Sequence, residues 1–246
     1  MKNISRLFSL PPLSPARTLR HLSVPLLMLA LALKSSLVLA TGMVPETSLL
    51  LINEQDKGAN MNVKNTDDHP SLLYTSIVDL PDDKGTRVVV TQPVTRVEAG
   101  KTQRLRFILQ TDAPLKVEHL KRLHLEGIPP KTKGKNQVTI NIRQDLPVLI
   151  HPASLPVKKD AWTLLTWSVS GNAVTVKNDS PYVVRMSSQV RMLPSGTGVT
   201  LDRTYILPGQ SISAKAGRSL SGDRQVTFYP ASRYGVQVPS YTADVQ

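Results

Sequence analysis

The chain has no cysteine, so no disulfide can staple it and its stability has to come from packing. Aromatic residues make up only 4% of its 246 positions, too few for the base-stacking platforms of a single-strand nucleic-acid binder. No apolar run reaches the roughly 20 residues that a membrane-spanning helix requires. Chemistry-bearing constellations are also missing. No serine has the glycine flanks of a nucleophile elbow, and the Ser, His and Asp residues are scattered. His119 and His124 are five apart, which suits neither one helical face nor one strand face, and no further metal ligands accompany them. The Gly196 and Gly198 pair lacks a phosphate-binding continuation and reads as a hairpin loop. Lys131, Lys133 and Lys135 read as a solvated hairpin tip. Asp67, Asp68, Asp82 and Asp83 read as turn residues bonding local backbone. These absences argue against an enzyme, a metal site, a cofactor and a nucleic-acid partner.

Charge is distributed unevenly. The formal net charge is +12, from 30 basic and 18 acidic residues. Residues 1–40 hold Lys2, Arg6, Arg17, Arg20 and Lys34 and no acid, so the remainder carries 25 basic against 18 acidic residues, a net of +7. The same forty residues read as a secretory signal, with basic residues before apolar runs at 24–33 and 37–39. Val38 and Ala40 supply the small residues of a cleavage site, and Lys34 divides the apolar stretch. An exported protein with no stable membrane anchor after signal removal is expected.

What is present from Met43 onward is a succession of short β-branched segments between turn signals about ten residues apart, the signature of an all-β sandwich. Segments 48–52, 62–64, 72–74, 77–78, 88–90, 94–97 and 105–109 are expected as strands, with a polar turn at 53–60 and a short helical turn or loop at 116–122. Segment 153–158, with a proline and charge, reads as a linker between domains at 43–152 and 159–246. The second series is expected at 162–169, 173–177, 182–189, 199–201, 205–207 and 226–229.

One stretch organises the rest. In residues 137–152 the apolar Val138, Ile140 and Ile142 alternate with Thr139, Asn141 and Arg143, and a second apolar run, Val148, Leu149 and Ile150, ends at His151 and Pro152. Before it lies the basic, glycine-containing loop 131–136. Sixteen residues exceed an ordinary strand, so the front half is the part to extend past a domain. Alternation alone is compatible with an ordinary sandwich strand as well as with a face offered to another chain.

Several spaced segments resemble the periplasmic, PapD-like chaperones of the chaperone–usher pathway. TQPVTRVEAGKTQRLRF (91–107) is similar to a proline, arginine and glutamate segment of that family, with Ala99 where proline is usual. EGIPPK (126–131) is similar to its Ile-Pro-Pro strand end. LPVLIHP (146–152) resembles the end of its long G1 strand, with His151 in place of arginine. NDSPYVV (178–184) and ILPGQS (206–211) resemble the opening of its second domain and a Pro-Gly turn. The resemblance spans nearly all of the chain after the leader.

It implies two immunoglobulin-like sandwiches in an L or boomerang arrangement, in the periplasm, binding fimbrial (pilus) subunits and passing them to an outer-membrane usher. The G1 strand would complete a subunit's missing strand, a mode of β-strand addition, through Val138, Ile140 and Ile142. Glu118, His151 and, by a loose registration, Asp223 would form an inter-domain charge group containing a histidine, the side chain that changes charge near neutrality. Leu73, Ile128 and Pro129 would lie on the usher-facing surface. Two departures stand out. The family's carboxylate-anchoring arginine and lysine are replaced by Ser48 and Pro147, so Arg143, with Lys64 in reserve, becomes the candidate anchor and Ser48 can only donate a hydrogen bond. The alternative reading is a secreted fimbrial subunit or adhesin. It accounts less well for two strand series joined by a proline-containing linker.

Overall fold

A computed structural model describes residues 42–83, 85–130 and 141–246. The leader at 1–40, the loop 131–136, Val138 and Ile140 lie outside the described residues. Apart from short 3-10 turns at Glu54–Asp56 and Ala161–Leu164, the described regular structure is β.

The first sandwich contains β1 (Met43–Pro45), β2 (Leu50–Asn53), β3 (Gly58–Asn65), β4 (Ser71–Asp79), β5 (Arg87–Val90), β6 (Val94–Val97), β7 (Thr102–Gln110), β8 (His119–Ile128) and β9 (Arg143–His151). Hydrogen bonding links them in the order β5-β7-β3-β2-β9-β8-β4-β6, with β1 beside β3. The alternation read from the sequence drives this arrangement. On β7, Leu105, Phe107 and Leu109 are buried while Arg104 and Arg106 are exposed. Leu123 and Leu125 of β8 meet Val148 and Ile150 of β9 in the same core.

The second sandwich contains β10 (Thr166–Ser170), β11 (Ala173–Lys177), β12 (Val184–Met186), β13 (Gln189–Leu193), β14 (Gly198–Thr200), β15 (Tyr205–Ile206), β16 (Ser211–Lys215), β17 (Gln225–Phe228), β18 (Pro230–Ala231) and β19 (Tyr241–Asp244). Its core is centred on Trp167, tilted 38° against Phe228 at 5.2 Å, with Tyr241 edge-on to Phe228 at 5.7 Å. Asn178 is fully buried, and its amide donates to the carbonyls of Tyr182 (2.7 Å) and Ile206 (3.0 Å). That satisfies a polar group which burial alone would penalise.

Several local expectations give way to tertiary packing. Residues 116–122 are not helical, because β8 begins at His119. The expected turn at 53–60 becomes a single 3-10 turn followed at once by β3. The strand expected at 162–169 is a 3-10 turn and then β10. Asp82 and Asp83 do not serve their own turn. Asp83 is buried, accepts the Leu120 N–H and faces His119 Nδ1 at 2.5 Å, while Asp82 reaches Arg203 of the second sandwich at 2.6 Å.

Gly58 shows how tightly β3 and β7 are matched. A Cβ at this position would stand 2.1 Å from the Phe107 carbonyl oxygen. Gly58→Ala is therefore expected to force the two strands apart and cost about 2 kcal/mol. Gly217→Ala, where a Cβ meets nothing within 4 Å, should change stability little. Equal melting temperatures for the two variants would refute this.

Candidate functional site: the β9 edge and the inter-domain cleft

β9 is covered unequally along its length. On one side β8 pairs with it throughout, from Glu126 opposite Arg143 to His119 opposite Ile150. On the other side β2 joins only at Val148, where Leu50 is its partner, and continues to His151. Among the described residues, 143–147 have no strand on that side. Ile142, just before β9, is 61% exposed. By alternation it shares the face of the core residues Val148 and Ile150, and it borders a recess of about 170 Å³ beside Met43 and Gly127. The core-facing row of Ile150, Val148 and Leu146 thus passes Gln144 and reaches the exposed Ile142, next to an open edge.

The candidate anchors are dispersed. Arg143 is exposed four residues before Pro147, about 13 Å along the strand. Lys64 is exposed on β3, opposite Val44 and Thr102, two places from β9 in the strand order. Ser48 is exposed between β1 and β2. A Cβ on Gly235 of the second sandwich would lie 2.9 Å from its Oγ, so a loop of that domain passes directly beside it.

Glu118 and His151 do meet, and both are buried. His151 Nδ1 lies 2.8 Å from Glu118 Oε1, and its Nε2 lies 3.0 Å from the Leu155 carbonyl. Nδ1 also lies 3.4 Å from Arg233 Nη1, so the ring is wedged between the Glu118 carboxylate, the Arg233 guanidinium and the Leu155 carbonyl. The third member is not Asp223. Its carboxylate is occupied by the backbone N–H (2.8 Å) and hydroxyl (2.9 Å) of Ser195, within the second sandwich. Arg233 takes the place instead, donating from Nη1 to Glu118 Oε1 at 3.0 Å. Glu118 Oε2 accepts the Val183 N–H at 2.9 Å, and the Glu118 N–H donates to the Pro181 carbonyl at 2.8 Å. One buried carboxylate of the first sandwich is therefore held by a cation and a backbone amide of the second.

Apolar packing reinforces this joint. Leu120 and Leu149 point away from the first core and pack with Val183 and Leu207. At its margin Arg203 bonds Asp82 and lies 5.7 Å over the Tyr205 ring, and the Asp82 hydrogen bond raises the guanidinium pKa above its ordinary value. Neither Arg233 nor Arg203 was legible as a joint residue, since nothing in the surrounding sequence distinguishes them from surface arginines.

The outer face of β4 corrects another expectation. Leu73 is 0% exposed and belongs to the first core, whereas its neighbour Leu72 is 42% exposed. A one-residue change of register on a strand reverses the face. Leu72 pairs with Ile128, and Tyr74 pairs with Val94, so these four form an outward apolar patch with the half-buried Pro129 next in the chain. Among the described residues there is no group of three or more side chains able to hold a metal ion, and no helix long and apolar enough to cross a membrane.

Comparison with known proteins agrees with this architecture. Residues 42–156 match the family described as pili and flagellar-assembly chaperone, PapD N-terminal domain, and residues 160–242 match the pili assembly chaperone PapD, C-terminal domain. The chain is 53% identical over 209 residues to the fimbrial chaperone YhcA of Escherichia coli K12, covering 85% of this chain and 92% of that protein. It is 28% identical over 196 residues to the chaperone protein MrkB of Klebsiella pneumoniae, covering 74% and 83% of the two chains. Among solved structures, the fold is similar to the Salmonella enterica SafB chaperone in complex with the SafA pilin (TM-score 0.69, 17% identity, covering 84% of this chain and 98% of that one). It is also similar to the E. coli chaperone DraB (TM-score 0.66, 20% identity, covering 84% and 97%). With both domains of the family matched in order on two immunoglobulin-like sandwiches, the chain belongs to the PapD-like fimbrial chaperones of the chaperone–usher pathway, a family of assembly proteins rather than enzymes.

Proposed function

We propose that this chain works in the periplasm, after loss of residues 1–40, by lending β9 and the segment before it to fimbrial subunits and delivering them to an outer-membrane usher. In this reading 43–152 and 159–246 are its two domains and 153–158 the link between them. The observation that carries it is the unpaired side of β9 at 143–147 beside the exposed Ile142. An edge strand left open is a template for another chain. A subunit strand laid there gains main-chain hydrogen bonds from β9 and pockets the alternating apolar row, to which Val138 and Ile140 belong by sequence. The patch of Leu72, Tyr74, Val94, Ile128 and Pro129 supports a separate contact with the usher, because it lies on the outer face of the sheet and leaves the β9 edge free.

Ile142→Asp tests the donor strand. Burial of one isoleucine is worth about 1.5–3 kcal/mol, so subunit affinity is expected to fall about 10- to 100-fold, while the free protein keeps its melting temperature. A variant that unfolds alone, or one that captures subunit as well as wild type, would refute the assignment.

A further inference from the structure

The β3–β7 pair turns a polar, basic face to solvent. Alternation sends Met61 and Val63 of β3 and Leu105 and Phe107 of β7 into the core, which leaves Asn60, Lys64, Arg104 and Arg106 outside. The register sets Arg106 beside Asn60 and Arg104 beside Asn62. Lys57 stands at the turn just before β3. Lys57, Arg104 and Arg106 line one open groove of about 780 Å³, together with Asn60 and Gln92. Among the described residues none of these three cations forms an ion pair. The acids beside them are already engaged. Asp56, the one acid of the groove, accepts from Asn53 Nδ2 through Oδ2 at 3.0 Å. Glu46 accepts the Asn62 N–H at 2.8 Å and its Nδ2 at 2.9 Å.

Three features narrow the partner. β7 is paired on both sides, by β3 and by β5, so this face offers no free backbone edge onto which a peptide strand could add. Phe107, the one ring in the lining, is buried, so nothing there stacks on a base. The exposed side chains of the groove are all polar or charged, which suits contact with headgroups and not insertion among acyl chains. What remains is positive charge spread over a sheet face. It suits a field of anionic groups that can adjust their spacing, and an anionic lipid surface supplies one, worth about five-fold in affinity for each Lys or Arg brought close to it.

We propose that the β3–β7 face docks reversibly on an anionic lipid bilayer, whose headgroup phosphates meet Lys57, Arg104 and Arg106. The contact is compatible with the others described. The β3–β7 and β4–β8 pairs pack on one core from either side, so the patch of Leu72 and Tyr74 looks away from the bilayer. The open side of β9 at 143–147 belongs to neither face. The inference therefore stands independently of the donor-strand reading.

The test is co-sedimentation of the full mature protein with large unilamellar vesicles. One set contains phosphatidylethanolamine and phosphatidylglycerol, the other phosphatidylcholine alone. The expected result is binding to the anionic vesicles that weakens as salt is raised, and none to the neutral ones. Arg104→Gln with Arg106→Gln should lower the partition coefficient about 25-fold without moving the melting temperature, since both side chains are exposed. Arg104→Lys with Arg106→Lys should bind nearly as wild type, because a fluid headgroup layer reads charge and not the geometry of a guanidinium. Arg191→Gln with Arg218→Gln removes the same charge from exposed positions of the second sandwich and should change binding less than about two-fold. Equal binding to both vesicle types, or equal losses in the two glutamine pairs, would overturn the proposal. So would inorganic phosphate that competes at constant ionic strength, which would make the groove a discrete anion site. Subunit capture should be unchanged in Arg104→Gln with Arg106→Gln, so failure here and failure of the donor strand are read by separate assays.

Discussion

Glu118→Ala is expected to lower the unfolding free energy by about 3–5 kcal/mol, which corresponds to a fall of roughly 10 °C in melting temperature for a chain of this length. The reason is asymmetry. Glu118 is held by His151, Arg233 and the Val183 N–H in a buried site, so truncation strands a guanidinium, an imidazole nitrogen and a backbone donor together. Removing one cation is milder, since Arg233→Met leaves Glu118 with His151 and Val183. The double variant Glu118→Gln with Arg233→Met should then be more stable than the sum of its single changes predicts, because charge and countercharge leave together. Calorimetry of wild type, Glu118→Gln, Arg233→Met and the double variant measures the cycle, Glu118→Ala is measured beside them, and small-angle scattering reports whether the sandwiches lose their mutual orientation. A loss below about 1 kcal/mol for Glu118→Ala, or strictly additive variants, would mean that Leu120, Leu149, Val183 and Leu207 hold the joint alone.

The same cluster shows what the sequence could and could not reveal. His151 was legible because it stands where arginine is usual in the segment 146–152 that resembles the family's, and Glu118 because the same resemblance implies an acid as its partner. Arg233 was not legible. A loose registration with the family led instead to an acid, Asp223, which the fold spends on Ser195 in another turn. The fold instead brings Arg233 from the other domain, and the group is one carboxylate between an imidazole and a guanidinium. A linear pattern cannot express that exchange, since the three residues lie 33 and 82 positions apart. The strand pattern was readable where one face is uniformly apolar, as in β11 with Val174 and Val176. It failed where the face is mixed. The start of β8, within 116–122, was read as a short helical turn or loop because its inward row opens with His119 and Lys121, two polar residues that interrupt the period of two before Leu123 and Leu125. Leu73 was misplaced for a related reason. Both Leu72 and Leu73 are apolar, so the sequence does not say which faces the core.

Lys121 supplies the last and most asymmetric expectation. It occupies a core-facing position of β8, is 0% exposed, and its Nζ donates to Asp79 Oδ1 at 2.7 Å, while the Asp79 side chain is 68% exposed. The alkyl stem fills core volume as a hydrophobe would, and the ammonium is tolerable because a carboxylate meets it at the sandwich rim. The two partners therefore carry unequal risks. Asp79→Ala leaves a buried ammonium without its counter-ion and is expected to cost about 3 kcal/mol. Lys121→Met keeps the stem volume and removes the charge that needed compensation. It returns Asp79 to water, where it already mostly lies, and should be neutral or slightly stabilising although it deletes the same ion pair. Adding Lys121→Met to Asp79→Ala should then restore near-wild-type stability. Chemical denaturation of the three variants decides the matter. Equal losses for Asp79→Ala and Lys121→Met would show that the pair itself stabilises the fold, and a neutral Asp79→Ala would show that the ammonium finds water in spite of its burial.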